Sequence, residues 1–370
     1  MWLRAAHASV VVCCALAFGC AGPDYGEAFV SSFHAAKRAY AAGRYAEAAE
    51  LYGAAAGDAQ RVKDRDEAFF MQARMYEKLE RWAAARERYA TILETSPRGT
   101  RAGRAAFEIA TLEIEHGDPN RGYRALQEAI VRYPNHGSAR RGLELWAEHV
   151  AERGGEEALR AVLSRWLTEL EGSALEQQLR YERARSLRRS GDLVRAHEAF
   201  VETAMRHPYP KGTLTDDAWW YASEVAEEQG NHEQAVTDLR SLLGSREVAT
   251  GGSYERPRYP PAQMRIAELY RDRLGDHEAA RRAFRRVYLE HETSILADDA
   301  MWWEAVLERR HGRAERACEL GEELAHQFSS SRYVRCLQQL CPRLESRGSR
   351  PCPDYILRDL SAKATPSPSG

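Results

Sequence analysis

A turn of the form G-[D/N/R]-x-x-x-A recurs along this chain at intervals close to 37 residues. Recognisable copies of the turn begin at seven positions, namely Gly43, Glu80, Gly117, Gly191, Gly230, Gly275 and Gly312. The first three are 37 residues apart, and so are the last two; the step from Gly117 to Gly191 is twice 37, which leaves room for a degenerate copy around Gly154. Such a period predicts serially stacked copies of one supersecondary unit rather than a single globular core.

Two further markers keep the same spacing. Prolines that stop a helix stand at Pro97, Pro134 and Pro208, which are 37 and 74 residues apart. A small residue follows each turn and a bulky one comes four positions later, so both lie on one face of a helix. The small positions are Ala48, Ala85, Ala196, Ala235, Ala280 and Ala317, and the bulky ones are Tyr52, Tyr89, Leu126, Phe200, Leu239 and Phe284. Each unit is therefore expected to be a helical hairpin with a close contact between its two helices.

This combination of period, turn, alanine and proline resembles the tetratricopeptide repeat (TPR) over about residues 30–330. The family's unit is about 34 residues long, so a step of 37 corresponds to a slightly longer linker. The resemblance implies an all-α solenoid of about eight helical hairpins with a terminal capping helix. We assign residues 1–20 to a signal peptide, 24–329 to the solenoid, 330–360 to a disulfide-stapled cap and 361–370 to a disordered tail.

The first residues predict export. Arg4 precedes a short apolar run from Ala8 to Phe18, which is too short to span a bilayer as a mature helix. The stretch L-A-F-G-C resembles a bacterial lipobox, which would make Cys20 the acylated first residue of an outer-membrane lipoprotein facing the periplasm. Ordinary cleavage after Ala17 or Ala21 is the alternative, and it would give a soluble secreted protein.

Cysteine is absent between Cys20 and Cys318, and four cysteines then follow within the last 53 residues: Cys318, Cys336, Cys341 and Cys352. An exported chain with this distribution favours disulfides over a zinc site, since no C-x-x-C pair is present. Short loops favour the pairs Cys318–Cys336 and Cys341–Cys352. We expect a terminal helix over residues 330–347 that these bonds attach to the stack.

Enzyme signatures are missing from the sequence: it contains no G-x-S-x-G, H-E-x-x-H, P-loop or G-x-G-x-x-G motif. The formal charge of -2 is spread over interspersed acidic and basic residues, without the basic stripe that nucleic acid requires. We therefore predict no catalysis, no cofactor, no metal, no nucleic acid and no small-molecule substrate. The predicted partners are proteins, together with a membrane that the protein reaches through its lipid anchor.

Two aromatic doublets follow paired aspartates, in D-D-A-W-W-Y from Asp216 and D-D-A-M-W-W from Asp298. Helix capping and packing explain part of this pattern. Neighbouring helix positions point about 100° apart, however, so two adjacent tryptophans seldom face one core. First helices line the inner face of TPR arrays. The residues that this register places there, and that we predict to bind a partner, are Tyr181, Arg185, Arg188, Trp220, Glu224, Trp302 and Arg309.

The stretch from Asp216 to Ala235 is similar to repeats of the TolA-binding cell-division coordinator, and the whole chain resembles periplasmic TPR lipoproteins, including a subunit of the outer-membrane β-barrel assembly machine. The resemblance implies an envelope scaffold that binds protein partners of the envelope machinery. A soluble secreted binding protein and an accessory protein of a cell-wall-processing enzyme are the alternatives.

Overall fold

The computed structural model describes residues 26–244, 256–348 and 350–361, and every regular element in these ranges is helical. Residues 246–259 are rich in Gly, Pro and Arg, which predicts an exposed loop between two hairpins. Most of this segment lies outside the described residues, as do the predicted signal segment with Cys20 and residues 362–370 of the predicted tail. None of the described helices is both long and apolar enough to cross a membrane.

The chain divides into two compact units, 1–138 and 139–370. The helices of the first unit are Glu27–Ala41 (α1), Tyr45–Asp58 (α2), Val62–Lys78 (α3), Trp82–Thr95 (α4), Ala102–His116 (α5) and Pro119–Arg132 (α6). They form three hairpins, in which each helix packs against the next one along the chain.

The second unit continues the pattern. Its helices are Ala139–Glu169 (α7), Glu176–Arg189 (α8), Leu193–Arg206 (α9), Thr215–Glu228 (α10), His232–Gly244 (α11), Tyr259–Asp272 (α12), His277–Glu290 (α13), Ala297–Arg310 (α14) and Ala314–Gln327 (α15), followed by a 3₁₀ helix, Arg332–Cys336, and two short helices, Leu337–Leu340 (α16) and Asp354–Ser361 (α17). Helix α7 contains a break at Gly155, whose φ is 79°, so it is itself a hairpin pair of helices. The described residues therefore hold eight hairpins, as the repeat predicts.

The chemistry of the recurring turn explains why each hairpin forms. Gly191 has a φ of 77° and ends α8 in the left-handed conformation that glycine adopts without strain. The next residue, Asp192, donates its N–H to the carbonyl of Leu187 and accepts the N–H of Arg195 with its side chain, which caps α9. Asp118 and Asp276 cap α6 and α13 in the same way.

The small and bulky positions form the core of each hairpin, as expected. All twelve predicted side chains are buried, at 2% exposure or less. In the third hairpin the small residue is Gly122, and a β-carbon there would come within 2.6 Å of the backbone nitrogen of Ile114. In this hairpin the helices approach too closely even for alanine, whereas six other hairpins hold a fully buried alanine at the equivalent position.

An arginine joins one hairpin to the next at three similar places. Arg101 at the start of α5 pairs with Glu67 near the start of α3, with 2.6 Å between Nη2 and Oε1. Arg258, before α12, pairs with Asp217 of α10 at 2.7 Å. Arg332, which begins the 3₁₀ helix, pairs with Asp299 of α14. The segment after α15 therefore docks where the first helix of another hairpin would.

The structure corrects two expectations about this cap. The chain after residue 330 forms the 3₁₀ helix and α16 instead of one helix over 330–347, because Pro342 pushes Cys341 into an extended conformation and ends α16. The disulfides are Cys318–Cys341 and Cys336–Cys352, not the pairs that we expected. Loop length discriminates weakly between pairings, whereas the return of the chain onto α15 brings the α-carbons of Cys318 and Cys341 to 5.2 Å.

Candidate partner-binding surface

The first helices of hairpins five and six, α8 and α10, meet through aromatic rings. Tyr181 is only 8% exposed, and its ring centroid lies 5.9 Å from Tyr221 and 5.7 Å from Phe200. Burial raises the pKa of the Tyr181 hydroxyl well above its usual value. Tyr181 therefore supports the surface from below and offers little of itself to a partner.

A charged row lies on these rings. Arg188 of α8 reaches across to α10, where Nη1 donates to Glu224 Oε2 at 2.8 Å and Nε donates to Glu228 Oε1 at 3.0 Å. The same guanidinium stands 5.4 Å from the ring centroid of Tyr221. Burial opposes the charge of Arg188, but the hydrogen bonds to both glutamates outweigh it and raise the pKa of Arg188. This arginine is thus a fixed cation between the two helices.

Trp220 occupies the centre of this surface and is half-buried. Its indole Nε1 donates to Glu224 Oε1 at 2.7 Å. The guanidinium of Arg258 lies 5.0 Å from the centroid of the Trp220 ring, and Asp217 holds that guanidinium in place at 2.7 Å. The indole is therefore held in one orientation by charged neighbours on α10 and at the start of α12, with part of its surface accessible.

Five of the seven residues predicted to bind a partner come together here. These five residues and Arg258 form a group that we call the first-helix face. Its members are Tyr181, Arg185, Arg188, Trp220, Glu224 and Arg258. Arg185 is exposed and donates to Glu182 Oε1 at 3.1 Å. Arg258 was not among the predicted residues, because it lies at the end of the segment expected to form a loop. Its position directly before Tyr259, the first residue of α12, is the feature that could have identified it.

The other two predicted residues lie at the cap instead. Trp302 is 1% exposed and stacks on Tyr333 of the 3₁₀ helix at 4.7 Å, so the expectation that it lines an open wall is corrected. Arg309 donates to the carbonyl of Gln339 in α16. The physical reason is that the segment after α15 covers α14 as a further first helix would. Asp298 likewise accepts from Ser331 at 2.7 Å rather than capping its own helix.

A cleft of about 520 Å³ lies between α7 and α8, beside Arg185. Its lining residues are Arg141, Glu144, Leu145, Glu148, Ala151, Glu152, Glu156, Glu182, Arg185 and Arg189. Among the residues that the structure describes, no group of three or more His, Cys, Asp or Glu side chains has the arrangement to hold a metal ion. The cleft is lined mainly by charged side chains.

Serially packed hairpins with an aromatic and charged face define a helical-repeat protein of the interaction type. The tetratricopeptide-repeat family model matches residues 33–100, 181–250 and 267–332, which is more than half of the chain. The chain therefore belongs to the tetratricopeptide-repeat family, whose members bind protein partners. No curated protein sequence matches it.

Several solved structures are similar to this chain. The C-terminal part of a TPR repeat-containing protein from Cytophaga hutchinsonii shares 13% identity, with a TM-score of 0.43, over 72% of this chain and 98% of that one. A tetratricopeptide repeat protein from Parabacteroides merdae shares 11% identity over 74% and 98%, with a TM-score of 0.36. The type IV pilus biogenesis factor PilW shares 11% over 63% and 97%, with a TM-score of 0.38.

Proposed function

We propose that this protein is a scaffold of the bacterial cell envelope, which binds protein partners through the first-helix face and is held at the periplasmic side of the outer membrane by a lipid on Cys20. The partners belong to the envelope machinery, and the similarity of residues 216–235 to repeats of the TolA-binding coordinator supports that assignment. The binding is non-catalytic, and it uses shape, an aromatic anchor and matched charges.

The proposal rests mainly on one observation, which is the set of contacts that holds the Trp220 side chain in place. Tryptophan, tyrosine and arginine are the residue types that contribute most to binding energy at protein interfaces. Here a half-buried tryptophan is held between Glu224 and Arg258, at 2.7 Å from the carboxylate and 5.0 Å from the guanidinium. A partner that covers this indole meets an anchor whose orientation is already fixed, so little side-chain entropy is lost on binding.

Export is supported by the sequence of the first 20 residues and by the cap. Disulfides persist in oxidising compartments such as the periplasm. Cys318 of α15 and the three cysteines of the cap are all in disulfides, and each is buried at 8% exposure or less. Two bonds of this kind in one short segment favour an extracytoplasmic location.

Replacing Trp220 with alanine tests the binding face. We expect Trp220→Ala to reduce capture of partners from detergent-solubilised envelopes, measured by quantitative mass spectrometry, by at least about tenfold, which corresponds to a hot-spot loss of roughly 1.4 kcal/mol. Trp82→Ala is the matched control, because Trp82 is also half-buried but lies on α4 in the other unit. Equal capture by both variants, or unfolding of Trp220→Ala by circular dichroism, would contradict the assignment.

The anchor is tested separately. We expect metabolic labelling of the protein with palmitate, and loss of both the label and the membrane association in Cys20→Ala. A protein that is unlabelled and released in both forms is instead a soluble secreted binding protein. Sedimentation with purified peptidoglycan, independent of Trp220, would favour the accessory protein of a cell-wall-processing enzyme.

A further inference from the structure

One contact between neighbouring hairpins recurs along the chain, counted from the residue at which each turn begins. The sixth residue after one turn lies against the fourth residue before the next turn, and in two places these residues form an ion pair. Arg86 of α4 pairs with Glu113 of α5, and Arg281 of α13 pairs with Glu308 of α14. Both glutamates are buried, at 5% exposure or less. The repeat therefore sets an arginine of a second helix against a carboxylate on the next first helix.

The fourth and fifth hairpins keep the arginine of this contact but lack the carboxylate. Arg160, in the second half of α7, is the sixth residue after the degenerate turn, whereas α8 has Leu187 at the position of the glutamate. One turn earlier on α8 is Arg183, at the position where α14 has Glu304 bound to Arg285. Two arginines thus line a place where other hairpins combine arginine with glutamate.

These residues line a cleft of about 490 Å³ formed by α7, α8 and α9, and Leu187, which is 6% exposed, gives it an apolar floor. Arg160 donates through Nη1, to acceptors near the end of α8 at 3.1 to 3.3 Å, while its Nε and Nη2 donate to no residue that the structure describes. Arg183 has Glu202 at 3.8 Å, and that glutamate already accepts from Arg180 at 3.0 Å. Guanidinium N–H groups are therefore available in this cleft for a further acceptor.

Two exposed glutamates, Glu157 and Glu198, also line the cleft and oppose an anion. Arg160 and Arg183 are half-buried. Water and salt screen an exposed charge more than a half-buried one, so a ligand inside the cleft is attracted by these arginines more than it is repelled by the glutamates. The cleft therefore favours a carboxylate over an ammonium group.

We propose that this cleft binds a glutamate side chain of a protein partner, which supplies the carboxylate that Glu113 and Glu308 supply elsewhere in the chain. A guanidinium can bind a carboxylate through two parallel N–H···O bonds, and the methylene groups of a glutamate pack on Leu187. The inference goes beyond the proposed function, because the cleft lies between second helices and includes neither Trp220 nor any other member of the first-helix face.

The first test places the carboxylate in the chain itself. Leu187→Glu and Leu187→Gln remove the same apolar contacts and differ in charge, so their comparison isolates the pair with Arg160. At neutral pH and about 0.05 M salt we expect Leu187→Glu to melt about 3 °C higher than Leu187→Gln, and we expect Arg160→Gln combined with Arg183→Gln to remove the difference. If Leu187→Glu melts at or below the temperature of Leu187→Gln, the proposal is wrong.

The second test measures binding to the unaltered cleft. The probe is a blocked, fluorescein-labelled peptide of about 12 residues that alternates glutamate with alanine, long enough to cross the cleft in an extended form, and the comparator has glutamine in place of glutamate. We expect the glutamate peptide to bind the full-length protein at least about tenfold more tightly than the glutamine peptide at about 0.05 M salt, measured by fluorescence anisotropy. Arg160→Gln combined with Arg183→Gln should remove this preference, and Glu198→Gln should strengthen binding of the glutamate peptide about twofold.

The matched control is Arg273→Gln combined with Arg282→Gln, which removes the same charge from exposed arginines of the same unit outside the cleft. This variant should keep the preference for the glutamate peptide. Equal affinity of the protein for the two peptides, or an equal loss of preference in the two double variants, would overturn the proposal, because net charge alone would then account for any attraction.

Discussion

Glu80 holds the turn position that glycine occupies in most of the other hairpins. Its φ is 55°, and it is the one residue other than glycine with a positive φ in the part of the chain that the structure describes. The turn is otherwise the same, since Arg81 N–H donates to the carbonyl of Tyr76 as Arg44 N–H does to Ala39. A side chain in the left-handed region costs about 1–2 kcal/mol, so this hairpin retains strain that its neighbours lack.

Replacing Glu80 with glycine is expected to stabilise the protein. The gain is about 0.5–1 kcal/mol in the free energy of unfolding, because relief of the strain exceeds the added freedom of the unfolded chain. Urea denaturation followed by circular dichroism measures it. The control is Gly43→Ala, at a turn with φ of 73°, which should lose about 1 kcal/mol. A loss of stability in Glu80→Gly would show that the turn is not strained.

At the scale of the element, hairpins could be predicted because each depends on short-range chemistry: a turn glycine, a cap and a small residue facing a bulky one. Even the degenerate fourth copy is a hairpin, since Gly155 supplies the positive φ where the repeat requires a turn. The cap could not be predicted in detail. Its path depends on how the chain after α15 docks on Asp298 and Asp299, which no local pattern records.

The close contact within a hairpin makes a specific demand on Ala235. This residue is fully buried on α11, so Ala235→Trp should overpack the pair α10–α11 and cost at least about 3 kcal/mol of the free energy of unfolding. Thr237→Trp, at an exposed position of the same helix, should cost under about 1 kcal/mol. Thermal unfolding of both variants gives the comparison, and equal losses would mean that α11 does not pack through Ala235.

On the scale of the whole molecule, the sequence predicts the order of the hairpins better than the surface that they form. The register placed Arg188, Trp220 and Glu224 on first helices, and they do meet. The prediction that Trp302 binds a partner on an open wall was wrong, because the segment after α15 covers α14. The sequence pattern also gives no indication of the cleft beside Arg185, since a cleft arises from the separation of two helices and not from the residues of either one.

Serial packing limits how far a local change can spread, and the cap offers a test. Cys318→Ser combined with Cys341→Ser removes the bond between α15 and the end of α16, which closes 23 residues. We expect the free energy of local opening in α14 and α15 to fall by about 3 kcal/mol, the usual value for a loop of this size. Protection in α1–α6 should not change, because each hairpin of a repeat array is stabilised mainly by its neighbours. Hydrogen exchange measured by mass spectrometry resolves the two regions, and a uniform loss of protection from α1 to α15 would mean that the array unfolds as one cooperative body.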